Sequence, residues 1–357
     1  MQKARAYLQS SSDAAFRKSR IEEWRGSMVS LQTRPSTIII GCGVSGLTCG
    51  VRLLEAGFDV TIVAKSVPPN TTSDAAAAIW YPYRAYPEDR VLAWCKKSYE
   101  TFVQLSTVEQ TGVSFTELYE IFVQQVQDPN WVTVVSGFHR LGSDELPPGY
   151  VDGYAATVPL METPIYMPYL MERFAKLGGK IEKLDQEIQN LEDLYADTPL
   201  IINCTGIGAG KLCKDPLVFP VRGQVISTLN PGLTRGVVDE VGPMGLTYII
   251  ACSKDCILGG TAQENDWNMA VDEETSNNIL HRCQRLEPRL RGLEILGAKV
   301  GLRPGRSEIR LEIERATSKC SVIHNYGHGG AGFTLSWGCA EDVLELAKGV
   351  FPAITSA

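Results

Sequence analysis

The residues whose spacing most clearly suggests chemistry are three glycines, Gly41, Gly43 and Gly46, in the pattern GxGxxG. Glycines so placed permit a tight turn, close approach of backbone to a pyrophosphate, and close packing of the next helix. The motif follows Ile38-Ile39-Ile40, a β-branched run that reads as a strand buried on both faces. A helix over 43–56 then aims its N-terminal amides at the phosphates, Gly57 closes it, and 60–63 reads as a second strand. In that context the glycines mark a dinucleotide site. They do not say which dinucleotide.

Other candidate centres are weaker. The run 206–212 (GIGAGKL) imitates a phosphate-binding loop but is one residue short. Leu212 also stands where a Ser or Thr must hold magnesium, so these glycines are read as letting the backbone pass near a cofactor. His324 and His328 are four apart, yet Gly327, Gly329 and Gly330 oppose a helix there, and no metal site is expected. Neither an HExxH nor a Gly-x-Ser-x-Gly elbow is present. The segment 322–340, by contrast, runs from a short strand through a glycine-dense loop into a helix ending near 346. A helix N-terminus beside a loop with little side-chain cover suits a cofactor ring or an anion. Spacing alone leaves a purely structural loop as the alternative.

Positioning these residues falls to a chain of 357 residues, long enough for one large or two interlocked domains. Hydrophobic residues make up 44% and charged ones 21%, as in an ordinary globular protein. A net charge of -7 and a pI near 5.3 argue against a nucleic-acid partner. No run of 18 apolar residues offers a membrane span. Ten cysteines without a CxxC pair read as mostly buried thiols in a reducing compartment. Cys252 and Cys256 flank a Ser-Lys-Asp turn; a bridge between them is conceivable, but free thiols are the expectation.

Residues 1–33 carry six Lys and Arg against three acids, with no apolar stretch behind them. They read as a frayed or surface-docked extension and not as a secretory signal. From Glu88 a helix presents Val91, Trp94, Cys95, Ser98, Phe102 and Leu105 on one face. Pro168 is expected to open another, with Leu170, Phe174 and Leu177 inward and Gly178 ending it. Alternating runs at 119–123, 131–135, 223–227, 246–250 and 256–260 read as antiparallel strands, and 274–286 as a helix. Residues 180–182 and 200–203 return to the nucleotide-binding strands. The chain therefore crosses between an α/β part and an antiparallel part more than once.

The phrase HNYGHGGAGFTLSWGCA resembles the C-terminal signature of the D-amino acid oxidase family, which includes D-aspartate oxidases. GCGVSG, TTSDAAAAIWYPY, NCTG, VRGQV, GLTYII and GLRPGRSEIRLE match in the family's order, so the resemblance spans 37–346. It implies an α/β fold: a Rossmann-like FAD-binding domain (34–85, 160–220 and 298–357) interleaved with an antiparallel-sheet substrate domain (86–159 and 221–297). It implies noncovalent FAD and hydride transfer from a D-amino acid's Cα to flavin N5, with molecular oxygen as acceptor. The products would be a 2-oxo acid, ammonia and hydrogen peroxide.

Carried over by motif, Arg303 would anchor the substrate carboxylate and Tyr248 would donate to it, with no residue acting as acid or base. A guanidinium fork suits that task because it binds a carboxylate bidentately. Tyr83, Ile79 and Ile250 would wall the side chain, with Gly330 beside them. For FAD, Gly41, Gly43, Val44, Ser45 and Gly46 would hold the pyrophosphate, and Thr71, Thr72 and Ser73 would supply hydroxyls. Lys65 and Ser66 would lie by the ribose, and Ile188 by the adenine. Ala77, Ala78 and Ile79 would pass along the flavin, with Gly206 and Arg303 lining the cavity. Gly329, Gly330, Ala331, Gly332, Phe333 and Thr334 would cover the pyrimidine side.

Departures from the family pattern bear on substrate and cofactor. Lys65 and Ser66 replace the usual ribose-binding acid, which keeps an NAD(P)-dependent dehydrogenase as an alternative; a non-enzymatic flavin binder is another. Met244 takes the place of a lid tyrosine, and the loop 239–245 looks short. Arginines for a distal carboxylate would fall at Val241 and Ala262. Neutral, apolar D-amino acids are therefore expected over D-aspartate. The last three residues are not a peroxisomal address, which makes the cytoplasm the default. A homodimer is compatible with the sequence and not required by it.

Overall fold

The structure, a computed structural model, describes residues 34–351; the expected N-terminal extension and the last residues lie outside them. In chain order the first elements are β1 (Ser36–Ile40), α1 (Val44–Glu55), β2 (Asp59–Ala64), α2 (Glu88–Ser106), β3 (Val113–Phe122) and β4 (Ser136–Arg140). β5 (Asp152–Met161), α3 (Thr163–Lys176), β6 (Lys180–Lys183), β7 (Leu200–Asn203), β8 (Phe219–Leu229), β9 (Arg235–Asp239) and β10 (Thr247–Ala251) follow. The last are β11 (Asp255–Gly259), β12 (Gln263–Glu264), α4 (Glu273–Leu286), β13 (Gly297–Gly305), β14 (Arg310–Arg315), β15 (Ser321–Tyr326) and α5 (Gly332–Val350).

Two sheets organise these elements. The first runs β14-β15-β7-β1-β2-β6, parallel throughout except for the antiparallel edge strand β14. Its central strands are apolar on both faces, as a sheet covered on both sides requires. Ile39, Ile62, Ile202 and Ile323 join one core with α1, α2, α3 and α5. Ile38, Ile40, Val63, Ile201 and Val322 join the other. The second sheet runs β12-β8-β11-β10-β9-β3-β5-β4, with β13 also on β8; it is antiparallel except where β3 meets β9.

Four expectations need correction. Residues 131–135 are no strand: Asn130–Thr133 is a short 3-10 turn. Only Trp131 is buried there, with its ring edge-on to Trp80 and Tyr154, so the apolar run reported burial and not extension. The α3 helix begins at Thr163, with Pro164 in its first turn and Pro168 inside it. A proline in the first turn removes an amide that has no partner anyway. Leu177 caps that helix and is exposed, although Leu170 and Phe174 are buried as expected. Finally, residues 298–305, expected with the nucleotide-binding strands, pair along β13 with β8, from Gly297↔Ser227 to Gly305↔Phe219. Arg303 is thus carried by the antiparallel sheet. All ten cysteines are free, Cys252 and Cys256 included. Among the described residues no helix is long and apolar enough to cross a membrane.

Candidate active site

A cavity of about 470 Å³ is walled by segments from both sheets, from Lys65 and Ile188 at one end to Arg303, Tyr248 and Gly330 at another. At its first end the chain leaves β1 through Gly41, whose φ of +105° and 2.5 Å clearance to Cys204's carbonyl oxygen admit no side chain. The α1 helix starts directly behind, with no acid in its first turn. Its Val44 amide donates to Ser73 Oγ at 3.0 Å, leaving the Ser73 hydroxyl proton to point elsewhere. The amides of Ser45 and Gly46 have no carbonyl to bond within the helix, so the cradle presents positive dipole ends to an anion. Gly46 itself does not line the cavity: a Cβ there would overlap the Gly41 carbonyl, so its part is to let helix and turn touch.

Thr71, Thr72 and Ser73 all line the cavity, but Thr71 commits its proton to Asp74, Oγ1 to Oδ2 at 2.6 Å. Lys65 and Ser66 line it as well, with the Lys65 ammonium 3.3 Å from Glu187. That lysine therefore meets the cavity already paired with a carboxylate. Ala77, Ala78, Ile79, Ile188 and Gly206 are in the wall. Cys42 is there too, its thiol pushed up to about 12 by burial and, secondarily, by the charge of Asp74.

The opposite wall is built by strand register. Gly301 faces Gly223 across β13 and β8, and Arg303 follows two residues on. Its guanidinium lies over Gly223, where any Cβ would overlap it, and Nη1 donates to the Thr261 carbonyl at 2.9 Å. Tyr248 on β10 faces Gly259 of β11, and a Cβ at Gly259 would overlap the Tyr248 ring. Burial raises the Tyr248 phenol above its ordinary value, with Arg303 pulling partly the other way, so the hydroxyl is a neutral donor. Tyr83 packs against Gly330, where a Cβ would come 2.7 Å from its ring, and Ile79 and Ile250 complete an apolar wall.

Sequence reasoning missed Gly223 and Gly259, and above all Glu240. Glu240 lines the cavity with Oε1 3.2 Å from Arg84 Nε and Oε2 3.2 Å from the Tyr81 hydroxyl. The same Tyr81 hydroxyl lies 2.6 Å from Glu120, which also accepts from Tyr154. Burial lifts Glu120 to about 7 against the pull of those two donors. An isolated acid just past a strand leaves no periodic signal; only its position two residues past Val238, which also lines the cavity, hints at it.

The glycine-dense segment closes the cavity where β15 ends. Gly327 and Gly329 have positive φ, and α5 begins at Gly332 after Ala331. Gly329, Gly330, Gly332 and Phe333 line the cavity, whereas Ala331 and Thr334 do not. Ala331 is fully buried at the helix cap, and the Thr334 hydroxyl bridges the Tyr81 amide and carbonyl at 2.9 and 3.0 Å. His328 is buried in the wall with Nε2 3.0 Å from Asn325 Oδ1; desolvation lowers it to about 4, so the ring is neutral. His324 lies on β15, not on a helix, between Asn203 and Glu314.

The DAO family model, described as FAD dependent oxidoreductase, matches residues 36–346. The chain belongs to that family. It is 48% identical to a D-amino-acid oxidase of Rubrobacter xylanophilus over 87% of this chain and 95% of that protein. It is 40% identical to one of Dictyostelium discoideum (89% and 92% covered) and 36% identical to a human D-aspartate oxidase (87% and 94%). In fold it is similar to a glycine oxidase from Bacillus cereus, with a TM-score of 0.75, 21% identity, and 88% and 95% of the chains covered.

FAD, the family's cofactor, suits the residues present. Two helix N-termini without first-turn acids, α1 and α5, border one cavity. Gly41 and Gly43 keep the first bare of side chains, and a Cβ at Gly43 would crowd the Ser73 hydroxyl at 3.1 Å. Between them the wall is Ala75 to Ala78, small enough for a flat ring to reach the backbone.

Proposed function

We propose that this protein oxidises D-amino acids to 2-oxo acids, releasing ammonia and hydrogen peroxide, with molecular oxygen as electron acceptor. One observation carries the reading: Arg303 and Tyr248, from β13 and β10, converge on the cavity that also presents the bare glycine cradle. Relatives named D-amino-acid oxidase at 48% and 40% identity support it.

Bound FAD supplies the two-electron acceptor and the route to oxygen; the chain supplies position. The Arg303 fork takes the substrate carboxylate, which fixes the direction of Cα as well as the charge. One edge of the guanidinium is held by Thr261, so the other is presented in a single orientation. Tyr248 adds a donor to the same carboxylate. Orientation of this kind contributes most of the rate when the chemistry belongs to a cofactor. No side chain is needed as acid or base: the amine gives its proton to water, and water hydrolyses the imine. The main part of FAD would be held by the amides of Gly43 and Ser45, the Ser73 hydroxyl, Ala77, Ala78, Gly206, Gly329, Gly330, Gly332 and Phe333.

Ile79, Tyr83 and Ile250 form the side-chain wall. No arginine stands at Val241, which is exposed, or at Ala262, and Glu240 in the wall repels an acid. Substrates are therefore D-amino acids without a side-chain carboxylate. Purified protein settles the reading: flavin absorption bands and peroxide release with D-alanine or D-methionine, and none with the L-enantiomers, support it. A colourless protein that cannot be reconstituted with FAD would sink it, and equal rates with D-aspartate would overturn the exclusion of side-chain carboxylates.

A further inference from the structure

The apolar wall has one acid in it. Val238 lies directly across from Tyr248 in the pairing of β9 with β10, and so shares its face. Glu240, two residues on, continues that face into the cavity, as Ile250 does two residues beyond Tyr248. Asp239 turns the other way and is taken by Tyr150.

Glu240 is short of donors. An ionised carboxylate offers about four acceptor sites, and this one has two neighbours. Arg84 meets Oε1 at 3.2 Å from the solvent side, being 57% exposed. Tyr81 stands 3.2 Å from Oε2, but its single proton has a nearer acceptor in Glu120 at 2.6 Å. Glu240 therefore lines the cavity with acceptor sites unfilled, in the same wall as Ile79, Tyr83 and Ile250.

We propose that Glu240 determines side-chain preference by accepting from a cationic tip, so that the site favours D-amino acids with an apolar stem ending in an ammonium or guanidinium. The inference rests on the oxidase reading above. An apolar stem suits the wall, and the charged tip meets a carboxylate already desolvated on one side, where ion pairs are strongest.

The test compares D-lysine with D-norleucine, which keeps the stem and lacks the charge, as a ratio of kcat/KM within each variant of the FAD-loaded enzyme. Glu240→Gln keeps the shape and removes the charge; the D-lysine to D-norleucine ratio should fall about tenfold or more, and D-glutamate turnover should rise. Arg84→Ala removes the competing cation and should raise the same ratio, so a poorly folding Glu240 variant does not leave the question open. A ratio within twofold of wild type in Glu240→Gln, or one that fails to rise in Arg84→Ala, overturns the proposal. Wild-type protein that carries flavin yet oxidises neither substrate overturns the oxidase reading instead.

Discussion

Arg303→Ala is the sharpest perturbation of the proposed site. The guanidinium lies over Gly223 and interacts with the Tyr248 phenol, with Nη1 tied to Thr261. A substrate carboxylate placed there exchanges water for a fork of donors in a partly enclosed space. Losing one partner of such a desolvated pair costs about 2–5 kcal/mol. At about 1.4 kcal/mol per decade this is a fall in kcat/KM of roughly 30- to 5,000-fold. Arg303→Lys keeps the charge and loses the planar fork, and should fall between that variant and wild type. The assay is initial-rate peroxide release with D-alanine, alongside the flavin absorbance per mole of protein. Since no FAD phosphate contact is assigned to Arg303, flavin content should stay near wild type. A variant that keeps its flavin and loses less than threefold in kcat/KM would refute the assignment of Arg303 as the carboxylate anchor.

Tyr248→Phe removes one hydrogen bond to a charged group, worth about 1.5–3 kcal/mol; unchanged kcat and KM with D-alanine would take Tyr248 out of the site. Gly46→Ala forces a methyl into the Gly41 carbonyl. Overpacking of this kind costs about 1–3 kcal/mol, and both the melting temperature and retained flavin should drop; a fully loaded variant of normal stability would count against the cradle. Glu120 sits at about 7, above its ordinary 4.5, so between those values the folded state binds more protons than the unfolded one. Its contribution to stability is complete below 4.5 and is lost as pH rises through 7, on the order of 3 kcal/mol. Glu120→Gln should therefore gain on wild type in melting temperature from pH 5 to pH 8. A difference that does not vary with pH would refute the buried acid as its source.

Much of the fold was legible because periodicity and burial coincide in it. The three isoleucines of β1 and the face of α2 from Val91 to Leu105 appear as read, since parallel strands and packed helices show their environment in every residue. Residues 131–135 misled for the converse reason: one tryptophan found a pocket, and its apolar neighbours did not extend with it. The site was legible where backbone is exposed by glycine, at Gly41, Gly43, Gly329 and Gly330. It was not legible where side chains meet across register. Gly223 under Arg303 and Gly259 under Tyr248 are separated from their partners by 80 and 11 residues respectively, and only strand pairing brings them together. Glu240 lay deeper still, because an acid in an apolar wall contradicts its local pattern. The roles proposed for Arg303 and Tyr248 came from the resemblance to the oxidases; spacing could not supply them.

Cys42 stands in the wall of a cavity where the proposed reaction leaves peroxide. Peroxide attacks thiolates, and attack on a cavity-wall sulfur would add oxygen atoms where the cofactor must fit. Burial, with the charge of Asp74 beside it, pushes the Cys42 thiol up to about 12 and keeps it protonated at neutral pH. The burial that makes this sulfur a packing group also disfavours the thiolate that peroxide would attack, so a polar opening beside it is expected to shorten the enzyme's working life before it changes a single rate constant.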